Sequence, residues 1–368
     1  MTEEKIEIEN QRVFFKSAEQ MEEIEPDSIT LVVTSPPYWN AKDYGDVDQI
    51  GFGQSYQEYI ESLNKVWAEC VRVLQPNGKI AINVQPLPIS AEHSGFGRRV
   101  IQNIMFDIEK FMREKGLFLS GMHYWDKAAY INNVSWGSYP KPTNIASNTS
   151  FEQIFVWVKK GKTRKIGKKI LRRNLLKKEE WRHWAVRCIW DDIAPVIKID
   201  SSQKNVFGHP APFPEDIPYR MIKMHTVEEE KVLDPFLGSG TTLKVCRLLK
   251  REGYGYEINP EYKELIMKRI QESWTIPTIE EGYITVGNEL MSKIIKETID
   301  ETWKLKSGFE RELKVRDKKE TIYKRILSNL KKDGTISTTF IEKMAEKKDD
   351  TKDHRLDDYF AEKESRKE

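Results

Sequence analysis

Cysteine is scarce in this chain. The three that occur, Cys70, Cys188 and Cys246, are scattered and lack the paired spacing of metal ligands. That argues against a zinc site or a disulfide framework and suits a reducing compartment. Long apolar runs are also missing, since none approaches the roughly 18 residues a membrane helix needs. The start, MTEEKIEIEN, is acidic rather than basic-then-apolar and so is no signal peptide. A soluble, intracellular protein is expected. Net charge is nearly absent too, with 60 Lys and Arg against 58 acids, so overall charge points to no class of partner.

The distribution of charge says more than its sum. From Lys159 to Arg187 there are 13 Lys or Arg and only two acids, Glu179 and Glu180, a local excess of about +11. With 368 residues the chain can build one large core with appendages, or two modest domains. Residues 12–39 read as strand (RVFF), helix (SAEQMEEI), turn and strand (ITLVV). A helix at 56–74 follows, with Tyr59, Ile60, Leu63, Val66, Trp67, Cys70, Val71 and Leu74 on one face. QPNG ends it before the strand KIAINV. Residues 86–97 form a Pro/Gly/Ser-rich loop. A helix at 98–115, a strand at 117–125 and a strand at 151–159 come next. Strands alternating with helices indicate an α/β fold with a largely parallel sheet. Beyond about 275 the chain is charge-rich and helical in pattern, and reads as an appendage. There is no internal repeat.

Two stretches carry chemistry. LDPFLGSGTT (233–242) follows a short apolar strand and opens a helix. Gly238, Ser239 and Gly240 allow close backbone approach to a ligand, and the helix start offers unpaired N–H groups. Asp234 stands at the strand's end, where it can receive ammonium or hydroxyl groups. Glu257 ends the next strand, where an acid chelates ribose hydroxyls. The turn lacks both the P-loop lysine and the GxGxxG spacing. Alone, these residues also fit a Gly-rich turn with a phosphate, or with no ligand.

Together, DPFLGSGTT and the strand-end Glu257 resemble the S-adenosylmethionine-binding motifs of DNA amino-methyltransferases. The resemblance implies a Rossmann-like mixed sheet with helices on both faces. It also implies cofactor contacts from Asp234, Pro235, Phe236, Gly238, Ser239, Gly240, Thr241, Thr242 and Glu257. The segment GHPAPFPEDIPYRMI (208–222) is similar to the family's His-Pro-x-x-Phe-Pro element, with Phe213 against the methionine end and Pro214 shaping the turn. Without the resemblance a Pro-rich linker with Phe213 as a core anchor stays open as the alternative. The family often has an acid near Ser17 to hold adenine. This chain lacks it, so Phe15, Lys16 and Ser17 are candidates only.

In the same family (D/N/S)PP(Y/F) closes the strand at the methyl-acceptor site, and Ser35, Pro36, Pro37 and Tyr38 match it. An exocyclic amine is conjugated with its ring and is a poor nucleophile. The Ser35 oxygen and the Pro36 carbonyl are acceptors able to grip two amino hydrogens. The two prolines fix those acceptors in advance, and Tyr38 offers a stacking face. Such a base must be flipped from its duplex, and methyl transfer is then an in-line displacement. Carbon-5 cytosine methylation needs a Pro-Cys nucleophile, yet Glu69, Arg187 and Val245 precede the three cysteines. Serine at position 35 favours cytosine N4 by family tendency. Adenine N6, RNA amino methylation and a non-catalytic nucleic-acid-binding protein of the same fold stay open. Trp39 and Asn40 either wall the base pocket or anchor the next loop.

The order of motifs, catalytic before cofactor with the basic segment between, resembles the β-class permutation. The expected division is a catalytic part at 1–158, a basic target-recognition insertion at 159–200, and a cofactor-binding part of the same domain at 201–275. A charged helical region at 276–368 follows. The sheet is then assembled from both chain ends, with RVFFKSAEQMEEI beside the cofactor strand. Lys165, Lys168, Lys169, Arg172 and Arg173 are expected on phosphates of double-stranded DNA, while Trp181, Trp184 and Trp190 read as core anchors. Near the end, DHRLDDYF (353–360) places Leu356, Tyr359 and Phe360 as in a sliding-clamp-binding peptide, with Asp353 in place of the usual Gln. The resemblance further implies a cytoplasmic, nucleoid-associated prokaryotic enzyme, and is compatible with a companion restriction endonuclease and a homodimer. It implies no membrane and no metal.

Overall fold

The computed structural model describes residues 5–39, 48–127, 149–177, 180–193, 195 and 214–273. It adds the backbone of short strands at 136–137, 145–146, 278–280, 283–285 and 335–337. The chain divides into two compact units, Met1–Ser273 and Trp274–Glu368.

In the first unit the elements run β1 (Lys5–Ile8), β2 (Gln11–Phe14), β3 (Ile29–Thr34), α1 (Tyr56–Val73) and β4 (Leu74–Val84). Then come β5 (Leu87–Ile89), β6 (Val100–Gln102), α2 (Met105–Glu114), β7 (Leu117–Asp126), β8 (Trp136–Gly137), β9 (Ile145–Ala146) and β10 (Phe151–Lys159). After α3 (Lys168–Arg173), a π-helical turn at Trp181–Val186 and β11 (Ile189–Trp190), the chain forms α4 (Asp216–His225), β12 (Lys231–Asp234), α5 (Thr241–Leu248), β13 (Glu252–Tyr256) and α6 (Lys263–Gln271). Nine strands make one mixed sheet in the order β1-β2-β13-β12-β3-β4-β10-β7-β11. The five from β2 to β4 in that order are mutually parallel. β10 is antiparallel to both β4 and β7. The N-terminal β2 lies against β13, so both ends of this unit build the cofactor side of the sheet.

Helices cover both faces. Val13 and Phe14 are neighbours on β2, so their side chains point to opposite faces. Phe14 joins the core that includes Leu63, Trp67, Ile108 and Met112 of α1 and α2. Val13 joins Leu243, Ile266 and Ile270 of α5 and α6. Burial on both sides explains why every residue of β3 is buried. α1 starts where Ser55 Oγ accepts from the Glu58 amide at 3.3 Å and the Glu58 carboxylate accepts from the Ser55 amide at 2.8 Å.

The SAEQMEEI helix does not form; residues 17–24 are turns. Their backbone groups are taken by side chains instead. The Ser17 hydroxyl accepts from the Glu19 amide, Glu69 of α1 accepts from the Met21 amide, and Arg72 of α1 donates to the Met21 and Ile24 carbonyls. The helix expected from 98 starts only at Met105, because Val100–Gln102 pair with Leu87–Ile89 as a two-stranded ribbon. QPNG loops out of the β3–β4 ladder, with Ile29 opposite Leu74 but Leu31 opposite Lys79, and Asn77 takes a left-handed φ of 63°.

In the second unit the described residues are β14 (Thr278–Glu280), β15 (Tyr283–Thr285) and β16 (Thr335–Ser337), an antiparallel three-stranded sheet. Among the described residues no helix is long and apolar enough to cross a membrane.

Trp67 of α1 is fully buried and meets the Phe236 ring edge-on, with centroids 5.7 Å apart. Trp67→Ala is expected to lower unfolding free energy by about 3–5 kcal/mol, read as a shift in denaturant midpoint, with Trp67→Phe losing less than half as much.

Candidate active site

Parallel strands bring their C-terminal ends to one edge of a sheet, and that edge is where ligands of open α/β folds bind. Here β3, β4, β12 and β13 end there. The two antiparallel steps turn the N-terminus of β10 and the C-terminus of β7 to the same edge. Ser35–Tyr38 follow β3 and Asp234 ends β12, and these two strands are neighbours. The two motifs, about 200 residues apart in sequence, thus meet at one place.

A carboxylate joins them. Asp234 is completely buried. Its Oδ1 accepts from Thr34 Oγ1 at 2.6 Å and from the Phe236 amide at 3.1 Å, and its Oδ2 accepts from Thr242 Oγ1 at 2.5 Å. Burial pushes its carboxyl up to about 6, against the pull of these three donors. Both oxygens are therefore engaged by the protein. Asp234 ties the residue before Ser35 to the first turn of α5.

The Gly-rich turn is shaped for close approach. Gly238 and Gly240 have φ of 54° and 89°, in the left-handed region, and Gly240 precedes α5. Pro235, Ser239 and Thr241 are buried around it, and Phe236 is half-buried. Glu257, just beyond β13, reaches across: its Oε2 accepts from the Gly238 amide at 2.8 Å and its Oε1 from the Asn259 amide at 3.0 Å. Burial raises its carboxyl to about 7, with Asp234 adding to the rise and the two amides opposing it. A glycine turn at a helix start and a buried carboxylate on the adjoining strand end fit the amino-acid and ribose parts of S-adenosylmethionine.

Phe15–Ser17 lie at the end of β2, where the Glu257 amide donates to the Phe14 carbonyl at 3.1 Å. Lys16 pairs with Glu23 and Phe15 packs on the Val13–Leu237 cluster. Phe213 lies outside the described residues. Pro214 is buried at the entrance to α4. The next residue, Glu215, forms an ion pair at 2.6 Å with Lys244 of α5, both almost wholly buried, which clamps this segment to the helix of the cofactor turn.

Around SPPY, Pro36 is buried and Ser35, Pro37 and Tyr38 are half-buried. Tyr59 of α1 donates to the Pro37 carbonyl at 2.8 Å. Trp39 donates through Nε1 to the Gln54 carbonyl at 2.8 Å and meets Tyr56 edge-on, so it anchors the following loop. Asn40 lies outside the described residues.

The N6/N4 DNA methylase family matches residues 29–268. The chain belongs to that family. The type II methyltransferase M.MthZI of Methanothermobacter thermautotrophicus is 29% identical over 346 residues, 86% of this chain and 93% of that protein. M.MjaI of Methanocaldococcus jannaschii, also named a type II methyltransferase, is 32% identical over 287 residues, 71% of this chain and 91% of its own. Among solved structures, TTHA0409 of Thermus thermophilus, complexed with S-adenosyl-L-methionine, superposes with a TM-score of 0.53 at 30% identity, covering 67% of this chain and 88% of that one. The PvuII DNA methyltransferase (cytosine-N4-specific) shares the fold, with a TM-score of 0.51 at 20% identity over 79% of this chain and 93% of its own. The protein is thus a DNA methylase that uses S-adenosyl-L-methionine.

In this methylase the basic segment is partly tied down. Lys165, Lys168, Lys169, Arg172 and Arg173 are all exposed on or before α3, but Arg173 holds Glu228 through Nε and a terminal nitrogen at 2.9 and 2.6 Å. Arg164 likewise pairs with Glu230. Trp184 and Trp190 are buried, with the Arg220 guanidinium over both rings. Trp181 is 57% exposed and so is no core anchor; it opens the π-helical turn, one residue after Glu180, which pairs with Lys223. The tail residues Leu356, Tyr359 and Phe360 lie outside the described residues.

Several residues at this edge escaped the sequence reading, namely Thr34, Tyr59, Asn83, Gln85, Lys127 and Glu152. A signal existed for some. Asn83, Gln85 and Glu152 are polar residues at the ends of otherwise apolar strands, which is where such residues have functional reason to be.

Removing the central carboxylate leaves two buried hydroxyls without their acceptor. Asp234→Ala is expected to cost about 2–3 kcal/mol of unfolding free energy. Asp234→Asn, which keeps the shape and one acceptor, is expected to cost less than half of that in the same denaturant titration.

Proposed function

We propose that this methylase transfers a methyl group to the exocyclic N4 of cytosine in double-stranded DNA, as the modification partner of a type II restriction endonuclease. The observation that carries the reading is the residue before the two prolines. Ser35 is neutral, and in the amino-methyltransferases that this chain resembles serine there goes with cytosine. Type II relatives along most of the chain support the restriction–modification context.

S-adenosyl-L-methionine supplies a methyl carbon made electrophilic by its sulfonium. The protein's part is to hold the acceptor still. The Ser35 hydroxyl and the Pro36 carbonyl accept the two amino hydrogens, which turns the nitrogen lone pair toward the methyl group. Tyr38 stacks on the flipped base. The prolines and the Tyr59 bond to the Pro37 carbonyl keep these acceptors from reorganising. Phe236 and the backbone of 235–240 cradle the amino-acid end of the cofactor, and Glu257 takes the ribose. Lys165, Lys168, Lys169 and Arg172 contact phosphates, and Arg173 braces their helix. The motif order supports a β-class enzyme. Contact of the 353–360 tail with a sliding clamp and assembly as a homodimer are part of the same proposal, tested by peptide titration and by sedimentation.

The deciding experiment treats unmethylated DNA with the enzyme, digests it to nucleosides and identifies the product by mass spectrometry. N4-methylcytosine is expected; N6-methyladenine would overturn the assignment.

Glu257 also sets a pH dependence. Ribose hydroxyls donate to its ionised form, so binding favours the carboxylate, and protonation opposes binding. With its carboxyl raised to about 7, calorimetric affinity for S-adenosylmethionine should fall as pH drops from about 8 to 6. Glu257→Gln should bind weakly and lose this dependence.

A further inference from the structure

Four strand ends at the active-site edge carry polar side chains that meet one another. Glu152, near the start of β10, is 7% exposed, and Lys127, just past β7, is 9% exposed. Lys127 Nζ lies 2.7 Å from Glu152 Oε1 and donates to Gln85 Oε1 at 3.0 Å. Asn83, at the end of β4 and 2% exposed, donates through Nδ2 to Glu152 Oε2 at 2.5 Å. The same Glu152 oxygen receives the Tyr38 hydroxyl at 3.4 Å, and the Gln85 amide donates to the Tyr38 oxygen at 3.3 Å. The Tyr38 ring is thus held at its far end by a donor and an acceptor from two other strands.

Placing a carboxylate and an ammonium in so dry a position is costly unless both are paired and hydrogen-bonded. An apolar pair would pack against a tyrosine ring more cheaply. What a carboxylate adds is a directed acceptor for the one polar atom of Tyr38. Lys127 balances its charge, and Asn83 together with the β10 backbone fixes its direction. Both bonds lie at the tip of the ring's long axis, so Tyr38 cannot swing away from this edge without losing them.

We infer that Glu152, paired with Lys127 and aimed by Asn83, is a positioning residue for methyl transfer: it orients Tyr38 through the phenolic hydroxyl. The inference rests on Tyr38 being the stacking face for the target base. Glu152 itself touches neither base nor cofactor. A misaligned stacking face displaces the acceptor amine from the methyl carbon, and small displacements of reacting groups cost ~10- to 100-fold in rate. Cofactor binding, at β12 and β13, is untouched.

The test uses the full-length enzyme with unmethylated DNA and radiolabelled S-adenosylmethionine. Glu152→Gln should lower kcat about tenfold with cofactor affinity by calorimetry unchanged. Tyr38→Phe, which removes only the hydroxyl and disturbs no buried charge, should lower kcat to a similar extent. The double variant should be no slower than the slower single variant, since both remove one interaction. Tyr38→Phe at full rate overturns the inference, whether or not Glu152→Gln folds. So does a Glu152→Gln loss that recurs in full on the Tyr38→Phe background, or a weakened cofactor affinity. A Tyr38→Ala control separates the two levels: if it retains wild-type kcat, Tyr38 is no stacking face and the underlying reading fails first. If it is inactive while Tyr38→Phe and Glu152→Gln are normal, only the positioning role is lost.

Discussion

One buried carboxylate holds this protein's two functional motifs together. Asp234 accepts from Thr34 on one side and from Thr242 on the other, completely out of contact with solvent. The β3–β12 pairing brings the strands side by side, but a ladder alone fixes only backbone spacing. The carboxylate fixes the last residue of β3 against the first turn of α5. Moving the SPPY turn relative to the glycine turn would break hydrogen bonds that have no water to replace them. In the proposed reaction a methyl group passes between those two turns, so their separation is a quantity the fold has reason to hold constant.

Other interactions serve the same rigidity from outside. Lys244, inside α5, pairs with Glu215 ahead of α4, with Arg269 and Glu272 of the α6 end nearby. Trp67 ties the α1 core to Phe236 in the turn, and Glu257 bridges the turn to β13. Burial raises both Asp234 and Glu257. The acids at this edge are thus kept by hydrogen-bond geometry at the expense of easy ionisation, a common trait of functional sites.

Much of this was legible because local chemistry was distinctive. DPFLGSGTT needs glycines wherever φ is positive, and Gly238 and Gly240 are found there. SPPY could end a strand and little else. The alternation of strands and helices predicted a parallel sheet, and β2 does lie beside β13. What stayed hidden depended on partners distant in sequence. SAEQMEEI has helical composition, yet Glu69 and Arg72 of α1 claim its backbone groups. The tie that Asp234 makes was hidden because its donors, Thr34 among them, could be named only once the strands were paired. Trp181 looked like core because tryptophan usually is, and nothing local shows that its turn projects outward. Glu152 and Lys127 are ordinary charged residues until β10 and β7 fold back to the same edge.

The pairing of β3 with β12 also dictates when this enzyme can come into being. β4 is synthesised soon after β3 and can cover one edge of it at once. The other edge waits while about 200 residues leave the ribosome. During that interval a strand built for complete burial has an open side, the kind of surface that recruits wrong partners. The cofactor half of the site does not exist before the late strands arrive, because the glycine turn and Glu257 are both among the residues made late. A nascent chain that has not reached Glu257 therefore carries an SPPY turn without a cofactor cradle.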